Sequence, residues 1–179
     1  MISLIISSTI LALGLTSAVL ILVYTIITGI SPMPTMPQAG KTMLAAIPEN
    51  FDGNILELGS GWGTLAIAVA RKFPYCHVTA YELSPLPWLI SHCLRFLMRT
   101  SNLKIYRRNF TKISLTDADI ILCYLFPEAM KTLKNKFDKE LKPGTIIISN
   151  AFRVPSWSPE HIFILKGLIL SEVYLYKKY

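Results

Sequence analysis

Glu57 stands directly before a glycine-rich turn, Gly59-Ser60-Gly61-Trp62-Gly63, and Glu82 follows nineteen residues after Gly63. The run into the turn, Asn54 to Leu58, is strand-like, and Tyr81-Glu82-Leu83 closes a second strand. A strand, a glycine turn, a helix and a second strand ending on a carboxylate build a pocket for a ribose-bearing cofactor. Gly59, Gly61 and Gly63 let the backbone turn tightly and approach a ligand closely. Their spacing is GxGxG. A pyrophosphate is better served by GxGxxG with a helix N-terminus aimed at it, and an acid directly before the turn opposes that anion. Glu57 instead suits a cationic ligand such as the amino-acid end of S-adenosylmethionine. Glu82 is placed to accept both ribose hydroxyls, a role that nicotinamide-dinucleotide sites share. A bare tight turn and a nucleotide-dependent dehydrogenase are the competing readings.

Further along, Asn109-Phe110 follows a third strand, where an amide can bond adenine and an apolar residue can cover its ring. With Ser60 and Leu83 these complete the candidate cofactor set. Tyr124-Leu125-Phe126-Pro127 follows a fourth strand, where the transferred group should sit. It is not the (Asn/Asp)-Pro-Pro-(Tyr/Phe) pattern that grips planar amines. Tyr124, Phe126 and Pro127 are therefore substrate-pocket candidates, and an aromatic wall suits a neutral or cationic amine. Trp88, Phe152 and Trp157 are further aromatics available to such a pocket. No single catalytic base is required, and His77, His92 and His161 read as structural or exposed. No metal site is expected: Cys76, Cys93 and Cys123 are widely spaced, without a CxxC, and Cys123 reads as a packed small hydrophobe.

To position these residues, strands are predicted over 54–58, 77–81, 103–106, 119–124 and 145–149, with helices over 42–47, 62–73, 86–98 and 127–141 between them. Two final strands, 161–165 and 170–176, join through Lys166-Gly167 as an antiparallel hairpin. Alternating strands and helices imply a parallel sheet. The fold class expected is α/β: a class I methyltransferase (Rossmann-like) sheet with a C-terminal antiparallel hairpin, preceded by one N-terminal transmembrane helix.

The front of the chain carries that helix. Residues Ile10 to Ile30 hold no charge and no proline, and at ~1.5 Å per residue they cross a ~30 Å hydrocarbon layer. A signal peptide would have a basic n-region and a shorter apolar core. The domain organisation expected is an anchor over 1–30, a proline-rich linker over 31–40 and a cofactor domain over 41–179. All 18 Lys and Arg and all 11 acids lie from Lys41 onward, so the downstream domain carries the whole net charge of +7. Lys41 close to the span favours a single-pass topology with that domain facing the cytoplasm or an organelle interior. Anionic headgroups would attract such a domain. No basic stripe interleaved with aromatics points to nucleic acid.

Taken together, the apolar front, Ser31-Pro32-Met33-Pro34-Thr35, Glu57 to Gly63, Tyr81-Glu82-Leu83-Ser84-Pro85, Tyr124-Leu125-Phe126-Pro127 and Pro155-Ser156-Trp157-Ser158-Pro159 resemble the membrane-anchored mitochondrial protein-lysine methyltransferases and their prokaryotic relatives. Trp62, Asn109 and Ser84 depart from that family's common residues. The resemblance implies S-adenosylmethionine as cofactor and transfer of a methyl group to a lysine side chain of a membrane protein. A lipid or small-molecule acceptor, or a non-catalytic membrane-tethered interaction module, are the alternatives.

Overall fold

The computed structural model describes residues 2–28, 35–165 and 171–179. Short apolar runs alternating with amphipathic segments produce α1 (Ile2–Thr28), α2 (Pro37–Ala45), β1 (Asn54–Leu58), α3 (Thr64–Lys72), β2 (His77–Glu82), α4 (Pro85–Leu97), β3 (Leu103–Arg107), a single 3-10 turn (Phe110–Lys112), β4 (Ile120–Cys123), α5 (Pro127–Glu140), β5 (Ile146–Asn150), β6 (His161–Leu165) and β7 (Ser171–Lys177). The strands form one sheet in the order β3-β2-β1-β4-β5-β7-β6. The first five run parallel, and β7 inserts antiparallel between β5 and β6. The expected class I sheet and its C-terminal antiparallel pair, in which β7 alone is reversed, are therefore present. The Lys166-Gly167 connection lies outside the described residues, as do residues 29–34 of the expected anchor and linker.

Both sheet faces are covered, which is why β4 reads as an unbroken apolar run. One core places Ile55, Val78, Ala80, Ile120, Leu122 and Ile148 under α2, α3 and the inner side of α4. The other sets Leu58, Ile121, Cys123 and Ile147 against Met130, Leu133 and Phe137 of α5. Cys123 is packed there as expected, and burial pushes its thiol up to about 12.

Two of the helix starts that differ from the sequence reading do so for a backbone reason. Helix α2 begins at Pro37, so residues 37–40 are helical rather than linker. Proline suits the first helical position, where its missing N–H is not needed. Helix α3 begins at Thr64 rather than Trp62, because Gly63 at φ 75° is left-handed and cannot continue a right-handed helix. The apolar helix also starts earlier than residue 10, giving a 22-residue membrane-length segment, Ile5–Ile26, with none of it buried in the protein. Ser7, Ser8 and Thr9 satisfy their hydroxyls there by donating to carbonyls of the preceding turn.

Candidate cofactor and acceptor site

The carboxyl ends of β1, β2, β4 and β5 form one edge of the sheet. The chain runs outward from β1 through β2 to β3 and then crosses back past β1 to β4 on its other side, and this switch point between β1 and β4 is where ligands bind in open α/β sheets. At its centre the N–H groups of Gly59 and Ser60 both donate to the carbonyl of Tyr81, at 2.9 and 3.0 Å, tying the β1 turn to the end of β2. Glu82 completes the tie. Its Oε2 accepts from the Gly61 N–H at 2.8 Å and its Oε1 from the Ser84 N–H at 2.7 Å. An ionised carboxylate offers about four lone-pair sites, so two remain for a ribose diol. Glu82 thus shapes the glycine turn as well as facing a ligand.

The three glycines have separate jobs. A Cβ on Gly59 would lie 2.7 Å from Leu125 Cδ2, and one on Gly63 would lie 2.6 Å from Ser91 Cβ. Those two permit close packing of β1 against the loop after β4 and of α3 against α4. A Cβ on Gly61 meets nothing within 4 Å. Gly61 is the glycine that faces open space, as a ligand-approaching position should.

Glu57 is 5% exposed, and the N–H of Ala66, in the first turn of α3, donates to its carboxylate. Burial outweighs that bond and pushes the carboxyl up to about 8, with the nearby Glu82 charge adding to the rise. Glu57 Oε2 and Ser60 Oγ are buried without a hydrogen-bond partner. A buried acid with an orphaned oxygen, beside an orphaned hydroxyl, fits a cationic donor such as an ammonium. The residues at this edge therefore fit S-adenosylmethionine: Glu57 for the amino-acid end, Glu82 for the ribose, and Gly61 for close approach. Leu83 and Phe110 lie half-buried on this side, Phe110 in the 3-10 turn.

Asn109 also has a local structural role. Its Oδ1 accepts from both the N–H and the hydroxyl of Thr111, at 2.9 and 2.8 Å, and so caps the 3-10 turn. Both oxygen lone pairs are engaged. The Nδ2 donor is what it has to offer adenine, matched to a ring nitrogen rather than to the exocyclic amine.

On the acceptor side, Tyr124 and Asn150 follow the last paired residues of β4 and β5, Cys123 and Ser149. The Tyr124 ring stacks on Phe152, centroids 6.3 Å apart and planes within 19°. The chain reaches that stack through Ala151, a left-handed non-glycine at φ 64°, with Ser149 Oγ donating to the Phe152 carbonyl at 2.6 Å. Such a residue costs roughly 1–2 kcal/mol and persists only where its surroundings impose it. Phe126 packs with the α5-side core and Pro127 is the exposed first residue of α5. Of the other aromatics, Trp157 belongs to the α5 side, where its ring meets Phe137 and Tyr176 and its Nε1–H donates to Asp138. Trp88 packs beneath α4. Only Phe152 among these three is seated on Tyr124.

One residue of this edge escaped the sequence reading. Asn150 is 2% exposed and its Oδ1 has no partner. It alternates with Ile148 and so shares the sheet face of Glu57, whose neighbour in β4 is Leu122, itself paired with Ile148. The two are ~10 Å apart across two strand spacings, with Asn150 ~7 Å further toward the carboxyl edge. Its signal in the sequence was only a polar residue ending the run Ile146-Ile147-Ile148-Ser149-Asn150.

Comparison with known proteins agrees with this geometry. Residues 57–161 match the family described as the ANTKMT methyltransferase domain. A protein-lysine N-methyltransferase of Saccharolobus islandicus (strain REY15A) is 27% identical over 148 residues, covering 80% of this chain and 91% of that protein. The adenine nucleotide translocase lysine N-methyltransferase of Mus musculus is 29% identical over 110 residues, 60% of this chain, and the match spans about half of that protein, 47%. Among solved structures, an RNA methyltransferase from Salinibacter ruber in complex with S-adenosyl-L-homocysteine superposes with a TM-score of 0.75 at 21% identity, covering 81% of this chain and 93% of that one, and so shares the fold. With its cofactor edge, sheet order and sequence in agreement, the chain belongs to the ANTKMT methyltransferase-domain family and is a class I S-adenosylmethionine-dependent methyltransferase.

Proposed function

We propose that this methyltransferase is anchored in a membrane by α1 and methylates a lysine side chain of a protein in that membrane. The observation that carries the reading is the acceptor edge: an aromatic pair, Tyr124 and Phe152, beside the buried, unpartnered Oδ1 of Asn150. A narrow aliphatic amine matches that surface, and two relatives similar to this chain are named for lysine N-methylation. When bound, S-adenosylmethionine supplies an electrophilic methyl group on a sulfonium.

The chain's own residues do the rest by position. Methyl transfer is an in-line displacement, which needs alignment more than acid–base chemistry. Glu57 would hold the amino-acid end of the cofactor and Glu82 its ribose, while Tyr124, Phe152 and Asn150 position the acceptor. The acceptor amine, with an ordinary pKa of ~10.4, must be neutral to react. Apolar and aromatic walls disfavour its charged form, so it sheds a proton to water on entering. Asn150 Oδ1 accepts one N–H of the neutral amine and leaves its lone pair free to face the methyl group.

The anchor supports the choice of substrate. A tethered enzyme meets proteins of its own membrane at high effective concentration. Lys41, close after the span, favours the cytoplasmic or organelle-interior side for the domain. Linker and domain divide near residue 36, before α2. The test is to incubate membranes containing the full chain with S-adenosylmethionine carrying a radioactive methyl group. Label in protein bands, recovered as methyl-lysine after hydrolysis, is the expected result. Label confined to the lipid extract overturns the protein acceptor.

A further inference from the structure

Helix α4 buries little of itself. Only Pro87 and Ser91 are fully buried, with Trp88 and Leu94 partly packed on the core. At about 100° per residue, Leu86, Leu89, Ile90, Cys93, Phe96 and Leu97 fall in one arc about 120° wide on the opposite side. No charge interrupts it. Leu89 is 51% exposed, Phe96 81% and Leu97 72%. A helix that faces water carries its polar residues on that side; this one reverses the rule.

What lies beside it indicates what covers it. Ser84 to Pro87, where α4 begins, meet Leu20, Ile21 and Tyr24 of α1, and Arg107 donates to the Tyr24 hydroxyl at 3.0 Å. Those α1 residues are at the C-terminal end of the Ile5–Ile26 apolar segment, the level at which a span leaves hydrocarbon for headgroups. From Leu83 to Thr116 there is no acid, but there are six bases: Arg95, Arg99, Lys104, Arg107, Arg108 and Lys112. Four of them, Arg99, Lys104, Arg107 and Arg108, lie at the end of α4, in the edge strand β3 and just after it, while Arg95 is on the helix side opposite the arc. A second protein surface would call for matching acids; an anionic bilayer supplies phosphates over the whole area.

We propose that α4 is a second membrane contact, lying in the plane of an anionic bilayer beside the α1 span, with its apolar arc among the acyl chains and the flanking bases on the phosphates. The inference rests on α1 spanning that bilayer. Because α4 starts directly after Glu82 and Leu83, this contact holds the ligand edge of the sheet close to the membrane surface, where a lysine at the end of a neighbouring span emerges. A single span would leave the domain free to rotate on its tether; two contacts fix its orientation.

The chain contains its own reporter. Cys93 is in the arc and exposed, whereas Cys76 and Cys123 are buried. A nitroxide on Cys93 of the full chain, reconstituted in vesicles of phosphatidylcholine and phosphatidylglycerol, reads depth from collisions with oxygen and with a water-soluble nickel chelate. The expected position is about 5–10 Å below the phosphates. Phe96→Glu with Leu97→Glu should lift the label into water while leaving cofactor affinity unchanged. A nitroxide at Leu13→Cys in a Cys93→Ser chain reports the anchor separately. If Leu13 reads lipid and Cys93 reads water, the α4 contact is wrong and the anchor stands. A Cys93 label shielded from both reagents and broadened by a second spin means a protein copy covers α4, which also overturns the proposal. If Leu13 itself reads water, anchor and α4 contact fall together.

Discussion

The ends of β1 and β2 and the ends of β4 and β5 share one sheet edge, but they are built by different means. The β1/β2 half is made of charge and backbone. Glu82, a turn with three left-handed glycines and the N–H groups of Gly61 and Ser84 are locked to one another within hydrogen-bond distance, and the buried Glu57 beside them is held by the Ala66 N–H. The β4/β5 half is made of shape: a ring stack, a strained alanine and one amide oxygen without a partner. In the proposed function the first half would hold the amino-acid end and ribose of the cofactor, away from the sulfonium that gives up its charge with the methyl group. In the proposed function the second half receives an amine whose reactive form is neutral, and a fixed negative charge there would hold that amine protonated.

Substitutions can break this contrast in both directions. The largest expected effect is in the first half, from Glu82→Ala. It removes the ribose contact and orphans the N–H groups of Gly61 and Ser84, each costing about 1–3 kcal/mol. Cofactor affinity measured by calorimetric titration should fall by at least about 100-fold. Retained binding would mean that the carboxylate only shapes the turn.

The glycines sharpen the same half. Gly63→Ala combines a left-handed Cβ with a 2.6 Å clash against Ser91 and should lower unfolding free energy by about 2–5 kcal/mol. Gly61→Ala meets open space and should cost only about 1–2 kcal/mol of stability while weakening cofactor binding. Equal melting temperatures for the two variants would remove the distinction between a packing glycine and a ligand-facing one.

In the second half, Asn150→Ala should reduce kcat about tenfold, the value of one hydrogen bond, with cofactor affinity unchanged. Asn150→Asp tests the charge argument, because a carboxylate in its place favours the protonated amine and should be slower still at neutral pH. A loss of cofactor binding in Asn150→Ala would move this residue to the other half of the site.

The smallest effect is the pH dependence of Glu57. Its folded carboxyl titrates near 8 against an ordinary 4.5, so between those values the folded state holds a proton that the unfolded state has released. The stability this group contributes is therefore full below about 4.5 and lost as pH rises through about 8 in the cofactor-free protein. An ammonium partner reverses the preference. Cofactor binding below about pH 8 should release a proton, seen as a buffer-dependent binding enthalpy that disappears in Glu57→Gln. A buffer-independent enthalpy in the unsubstituted chain would place the ammonium elsewhere.

The two halves were also unequally legible. Glu57, the glycines and Glu82 act through short local segments, and the chemistry of an acid before a glycine turn is readable at that range. The parallel sheet and its terminal antiparallel hairpin followed from alternation and spacing. Asn109 was readable as an adenine contact, and the bonds from Thr111 show that its oxygen serves the turn, which leaves the Nδ2 donor for adenine. Trp157 was offered to the acceptor pocket because aromatics are the right material. It went to the α5 side because Tyr176, Phe137 and Asp138 hold it there.

By itself, then, the sequence determined the cofactor half, the α/β sheet and the apolar front, because each depends on residue order over a turn or a strand. Tertiary structure alone decided that Asn150 and Phe152 accompany Tyr124, that Gly61 and Gly63 do different work, and that the apolar arc of α4 faces away from the core. Those depend on which strands and helices lie side by side. Strand adjacency and helix rotation are settled by packing, where residues far apart in the chain compete for the same buried surface.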